Sequence, residues 1–397
     1  MPPLKVIAVS GILAARLTHY FFSESTSIYR LSVELGLLTT ILALLWKPNA
    51  DTPPDTSSKK QPGNMAPENR SSNGVWLDNA FVSSPSSIEN VPRVANFLRD
   101  NLVDFWFVNI GALSRGGVLP DGIISCRHVI DFLSAVAAWE AANGGKKFKV
   151  LAWLTGHTDP TDPSTYIDVT DSTIRAAVVN QCRKIAVSSV ENSYTAGANR
   201  EFDGIQLQFE PAAPTSESFE SLKALMREVR DGIGHGKWTS FVAPRYGDAG
   251  TFWWNKQGYH YLARYVDLLC ASTYDFQAAS PEDYSTWMKG QTTDILRAVS
   301  GVMWGNDKNH PAPHNMKVML GFPAFPQSKQ HSTAIETVAA AAKGTIDGLE
   351  ALGDDKSSLG YFGGAAVYLY TDGSGKDGYS AESTDWAAFR QVWLGLE

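Results

Sequence analysis

Residues 202–211 read FDGIQLQFEP, a run in which side-chain character alternates strictly. Ile205, Leu207 and Phe209 share one parity, and Gln206, Gln208 and Glu210 share the other. Successive side chains of a β-strand point to opposite faces. This strand therefore has one apolar face and one face carrying two amides and a carboxyl group. A half-exposed surface strand fits that pattern. So does a barrel strand packed on helices outside and lined by a polar site inside. The flanks favour the barrel. Pro211 ends the strand directly after Glu210, and at 216–230 Phe219, Leu222, Met226 and Val229 recur at helical spacing. Glu210 then stands at the C-terminal end of a strand in a β/α unit, where α/β barrels place their chemistry.

The alternation extends along the chain. Strand-like runs occur at 75–82, 103–111, 148–156, 202–210, 238–246, 266–275, 316–325 and 362–371. Helix-like segments separate most of them, at 128–142, 172–187, 216–230, 332–352 and 383–396. Asn143-Gly144 marks the end of the first of these. Eight strands alternating with helices predict an α/β fold of the (β/α)8 TIM barrel type. A doubly wound open sheet would call for a Gly-rich phosphate turn after its first strand, and VWLDNAFVSSP has none.

The first fifty residues differ in character. Val6–Ala15 and Leu35–Trp46 are uncharged runs of ten and twelve residues, each short of the roughly 18 apolar residues of a clear spanning helix. With flanking residues admitted, 4–22 and 29–46 are expected to attach the chain to a membrane. The expected organisation is a hydrophobic anchor region at 1–47, a Pro/Ser-rich linker at 48–73 and a barrel at 74–397. The main domain is expected on the extracytoplasmic side. The linker holds Pro48, Pro53, Pro54, Pro62 and Pro67 among polar residues, and so buries too little apolar surface to offset its ordering entropy.

A net charge of −7 without any block of Lys or Arg argues against a nucleic-acid partner. Cys126, Cys182 and Cys270 form no disulfide framework and have no metal-ligand spacing. No HExxH pattern occurs either, so neither a metal nor another cofactor is expected. The predicted strand ends offer a different inventory: Asp78, Asn109, Trp153, Glu210, Arg245 with Tyr246, Tyr274 with Asp275, Tyr368, Tyr370 and Asp372. Carboxylic acids beside aromatic rings suit cleavage of a bond between sugars. One carboxyl group protonates the leaving oxygen while a second group stabilises the cationic sugar. Burial among apolar neighbours would raise the pKa of Glu210 for that task. Arg245 is a candidate for binding substrate, or for pairing with Glu210 instead.

These residues resemble a known family. Asp203, Gln206, Gln208 and Glu210 occupy the four positions of the D-x-x-D-x-D-x-E signature of the family 18 glycoside hydrolases, the chitinase-like barrels. YVDLLCASTYDF at 265–276 is similar to that family's sixth strand, and VMLGFPAF at 318–325 to its seventh. The chain is also similar to membrane-anchored bacterial relatives that carry DFEP at the signature strand. The resemblance implies a retaining, substrate-assisted hydrolase acting on an N-acetylhexosamine-containing polysaccharide. It makes Glu210 the general acid, Tyr274 and Gln208 the residues that hold the acetamido group, and Asp275 a sugar-binding acid. Asp203 aligns with the family's first, buried acid, which mainly supports the strand, and with Gln206, Arg245, Trp153, Tyr370 and Asp372 it completes the expected substrate-binding set. The departure lies at Gln206 and Gln208. A neutral amide cannot stabilise an oxazolinium ion as a carboxylate does, which implies weak turnover or, alternatively, a glycan-binding barrel without catalysis.

Overall fold

The structure is a computed structural model that describes residues 72–120, 126–159, 161–162, 165–210, 216–247, 253–301, 315–326, 328–370 and 384–396. Eight parallel strands close a barrel. They are β1 (Asn73–Leu77), β2 (Val103–Ala112), β3 (Lys149–His157), β4 (Gly204–Glu210), β5 (Trp238–Ala243), β6 (Leu268–Ala271), β7 (Lys317–Pro323) and β8 (Phe362–Tyr370). Each pairs with its neighbours in sequence, and β8 closes on β1. The main helices after the successive strands are α1 (Val91–Asp100), α2 (Cys126–Ala142), α3 (Ser172–Ala186), α4 (Ser216–Ile233), α5 (Lys256–Leu262), α6 (Pro281–Ser300), α7 (Val338–Leu352) and α8 (Thr384–Ala388). The expected (β/α)8 barrel is therefore present.

The expectation of a membrane-attached protein is corrected. Among the described residues no helix is long and apolar enough to cross a membrane. Residues 4–46, on which the expectation rested, lie outside the described residues. The physical reason is already in the sequence, where neither apolar run reaches spanning length alone. The membrane partner and the extracytoplasmic placement are withdrawn with it.

Two apolar layers hold the barrel. The outward faces of the strands pack under the helices; Ile205, Leu207 and Phe209 are all buried there with Leu222, Leu225, Met226 and Val229 of α4. Full burial of one such side chain contributes about 1.5–3 kcal/mol. The inward faces form a second core in which Trp76, Phe105, Phe107, Leu151 and Trp153 pack with Val242, Leu268, Cys270, Met319 and Ala366. Gly204 explains the Asp-Gly frame of the signature strand, since a Cβ there would sit 2.0 Å from the carbonyl oxygen of Trp238 on β5. Cys182 and Cys270 are buried free thiols.

Candidate active site at the barrel mouth

The polar face of β4 points into the barrel and climbs from core to solvent. Gln206 is fully buried, Gln208 is half-buried and Glu210 is exposed. Same-face residues lie roughly 6.6 Å apart along a strand, so the three sample three depths. Gln206 is completely engaged. Its Oε1 accepts from Trp76 Nε1 at 2.7 Å, and its Nε2 donates to Ser240 Oγ at 3.0 Å and lies 3.4 Å from Cys270 Sγ. It is a plug in the barrel interior beneath the mouth. One step higher, Gln208 Oε1 accepts from Trp153 Nε1 at 3.0 Å, and Gln208 Nε2 donates to Glu210 Oε1 at 2.5 Å. The burial expected around Glu210 is absent, because a residue two positions past the core on this face emerges into solvent.

Gln208 and Glu210 share a cavity of about 120 Å3 with Arg245, Ser272, Tyr274 and Asp275. Pockets for drug-sized ligands run about 300–1,000 Å3, so this space is large enough to take one substituent of a sugar, such as an acetamido arm, with the rest of a glycan extending past the open mouth. Tyr274 stacks on Tyr368 at 5.2 Å and meets Phe325 edge-on at 5.5 Å. Burial, joined by the neighbouring Tyr368, raises the Tyr274 pKa well above the ordinary tyrosine value. Burial and the charges of Glu210 and Asp275 push Tyr368 up to about 12. Both phenols are therefore O–H donors at neutral pH.

Tyr274 and Asp275 lie beyond the end of β6, which was expected to run through them. Asp275 has φ 58°, in the left-handed region. Burial raises its pKa, and the nearby Glu336 carboxylate adds to the effect, against His331 and Arg245. Its buried Oδ1 has no hydrogen-bond partner among the described residues. Arg245 Nη1 donates to the carbonyl oxygens of Tyr274, at 3.3 Å, and of Asp275. Burial lowers the Arg245 pKa, opposed by Asp275 and Glu336, and a guanidinium stays charged regardless. Arg245 thus braces the loop that carries Tyr274 and Asp275.

Other predicted positions fall elsewhere. Asp203 sits at the opposite, N-terminal end of β4. It accepts there from Val150 N at 2.8 Å and from Arg200 Nη2 at 2.6 Å, while Arg200 also bridges to Glu140 at 2.9 Å. That is a strand-anchoring role, some 20 Å below the mouth at about 3.3 Å per residue. Tyr370 is buried outside the barrel against Phe81, Phe97 and Trp386. The register of β1 against β8 shifts between Val75 and Leu77, which breaks the alternation that would have put Tyr370 on the same face as Tyr368. Trp153 is inside the barrel and nearly fully buried, meeting the cleft through Gln208. Asp78 caps the helical turn Asn79–Val82 by accepting from Ala80 N. Asp372 lies outside the described residues.

Two residues that sequence reasoning did not select border this loop. Glu336 and His331 are buried, and Glu336 Oε2 lies 3.3 Å from His331 Nδ1. With Asp275 they bring one potential metal ligand each within 4.8 Å of one another. The Glu336 oxygens already accept from the backbone N–H groups of Asp275 and Gln277, so loop bracing accounts for the arrangement. Nothing local in the sequence ties position 336 to position 275.

No family model matches the chain, and no curated protein matches it. Among solved structures it is similar to a family GH18 chitinase from Chromobacterium violaceum, at 15% identity over 81% of this chain and 84% of that one, with TM-score 0.48. It is also similar to the spore cortex-lytic enzyme SleL of Bacillus cereus, at 14% identity over 82% and 75%, with TM-score 0.47. The group IV chitinase of Ostrinia furnacalis matches at 13% identity over 64% and 67%, with TM-score 0.42. At these identities the likeness concerns the barrel and transfers no residue roles. These likenesses are similarities of fold only, and the polar face of β4 carries Gln206 and Gln208.

Proposed function

We propose that the mouth of this barrel binds an N-acetylhexosamine-containing glycan and hydrolyses it slowly, with Glu210 as the acid and base. The observation that supports this reading most is the placement of Gln208, in contact with Glu210 beside a cavity the size of an acetamido arm. Glu210 protonates the departing glycosidic oxygen. The acetamido carbonyl oxygen of the substrate attacks the anomeric carbon as that bond breaks. Water then opens the resulting oxazolinium ring and returns a proton to Glu210, with net retention. Tyr274, held as a phenol, is placed to donate to the acetamido group, and Asp275 borders the same sugar. Gln208 holds and orients Glu210 but cannot exchange a proton with it or balance the oxazolinium charge. Charge-assisted hydrogen bonds are roughly twice as strong as neutral ones, so the missing carboxylate lowers the rate.

The same amide favours a second reading, a glycan-binding barrel without turnover. Hydrolysis of a fluorogenic chito-oligosaccharide decides between them. Slow release that disappears in Glu210→Gln supports the hydrolase. Saturable binding of triacetylchitotriose with no release supports the binder, and the absence of both removes the carbohydrate reading.

A further inference from the structure

An indole N–H is a donor and never an acceptor. Trp153 Nε1 lies 3.0 Å from one end of the Gln208 amide, and a Glu210 carboxyl oxygen lies 2.5 Å from the other. These neighbours fix which end is which. Turned over, the amide would set its NH2 against the indole N–H and its oxygen against the Glu210 carboxylate, losing both hydrogen bonds. Trp153 is nearly fully buried, so its indole N–H depends on the Gln208 oxygen, and a buried donor left unpaired is costly. The NH2 group has two hydrogens. One goes to Glu210, and the other has no protein acceptor among the described residues. Gln208 lines the cavity, and what it offers there is a donor.

We propose that Trp153 is a positioning residue that locks the Gln208 amide with its NH2 toward the cleft, so that this position recognises a hydrogen-bond acceptor, the carbonyl oxygen of an acetamido arm, and not the acetamido N–H. This rests on the glycan reading above and deepens it. The consequence is chemical. The carbonyl oxygen that Gln208 holds is the atom that must attack the anomeric carbon. Binding and nucleophilic assistance therefore compete for one oxygen, so a tighter hold on the acetamido arm goes with slower turnover. A Leu at 208 would remove the contact, and a Phe at 153 would free the amide to turn.

Calorimetric titration of the full chain with triacetylchitotriose and with its thioacetamido counterpart tests the recognition. Sulfur is the weaker acceptor, while a thioamide N–H is the stronger donor. The wild type is expected to prefer the oxygen compound by about three- to tenfold, the worth of one neutral hydrogen bond. Trp153→Phe is expected to reduce that preference to the part that the Tyr274 phenol supplies, and an unchanged preference in Trp153→Phe overturns the proposal. A wild type that binds both equally, or prefers the thio compound, overturns the proposal. A second measurement needs neither binding nor turnover: the Trp153 indole 1H–15N resonance, assigned by its loss in Trp153→Phe, must move in Gln208→Leu. An unmoved resonance overturns the amide assignment even if binding behaves as expected. If no chito-oligosaccharide binds while that resonance moves, the Trp153–Gln208 contact stands, and the glycan reading and the recognition claim both fall.

Discussion

Glu336 Oε2 accepts the backbone N–H of Asp275 at 2.8 Å, and Glu336 Oε1 accepts that of Gln277 at 2.6 Å. Both acceptor contacts fall on residues with left-handed backbones, at φ 58° and 61°, a region that non-glycine residues seldom adopt. One buried carboxylate therefore holds a costly loop shape that carries Asp275 and follows Tyr274. Glu336→Ala leaves two amide hydrogens without acceptors. It is expected to lower the unfolding free energy in urea by about 3 kcal/mol, given about 1–3 kcal/mol for each buried group left unpaired. Glu336→Gln keeps one acceptor and should lose about half as much. An Ala variant as stable as the wild type would show that the loop holds its shape without the clasp.

Asp275 answers to pH in a direction set by its surroundings. Burial and the Glu336 carboxylate raise its pKa above the ordinary 3.8. The folded chain thus holds that proton more tightly than the unfolded chain does. Its contribution to stability is fully present below the unfolded pKa and is lost as pH rises through the folded one. Asp275→Asn removes the penalty of the buried charge. Its melting temperature should exceed that of the wild type at pH 7, and the difference should shrink toward pH 3. A variant less stable than wild type at pH 7 would mean that Arg245 and His331 stabilise the ionised form more than burial disfavours it.

Gln206 and Gln208 share a face of one strand but are expected to respond differently. Gln206→Leu orphans the Trp76 indole N–H, which Gln206 now accepts at 2.7 Å. That should cost about 1–3 kcal/mol and leave the affinity for triacetylchitotriose unchanged. Gln208→Leu should weaken glycan binding with little loss of stability, because its site is half open to solvent. Urea unfolding and calorimetry on the two variants check this. Lost binding in Gln206→Leu with unchanged stability would put the cleft deeper in the barrel than Gln208.

The barrel was legible because strand periodicity is local. Alternation at 202–210 and the apolar runs at 103–111 and 362–371 each report their own pleat. The helix Pro281–Ser300 is not among the segments that helical periodicity predicts, although its ends are plain in the sequence. Ser280 caps it by accepting from Asp283 N, Pro281 occupies the first turn, and Gly301 at φ 78° terminates it. Its apolar positions are diluted by Thr, Gln and Gly, which masks the 3.6-residue period. The site was half legible. Glu210, Gln208, Tyr274 and Asp275 are brought to one cavity, because strand ends of a barrel converge by construction. Tyr370 was placed on the wrong face, since a one-residue register shift reverses every later side chain, and no single strand reveals its partner's register. The Trp153–Gln208 and Glu336–Asp275 contacts join residues 55 and 61 positions apart, which no local pattern encodes.

The far end of β4 supplies a titration of opposite sign. Burial opposes charging Glu201, but hydrogen bonds from Lys237 Nζ at 2.6 Å and from Ser188 Oγ and N, at 2.5 Å and 2.8 Å, outweigh it and hold the carboxyl near pKa 2. The proton is therefore bound more weakly in the fold than in the unfolded chain. Its stabilisation is present above the unfolded value of 4.5 and fades as pH falls toward 2. Glu201 is partly exposed, so screening reduces the effect. Glu201→Gln should melt below the wild type at pH 6, with the gap closing as the two are acidified. The Asp275→Asn difference runs the other way, in favour of the variant at high pH. The two melting series therefore separate a carboxylate whose charge its partners stabilise from one whose charge burial disfavours. Parallel curves for Glu201→Gln and wild type across pH 2–6 would show that Lys237 and Ser188 do not stabilise the charge.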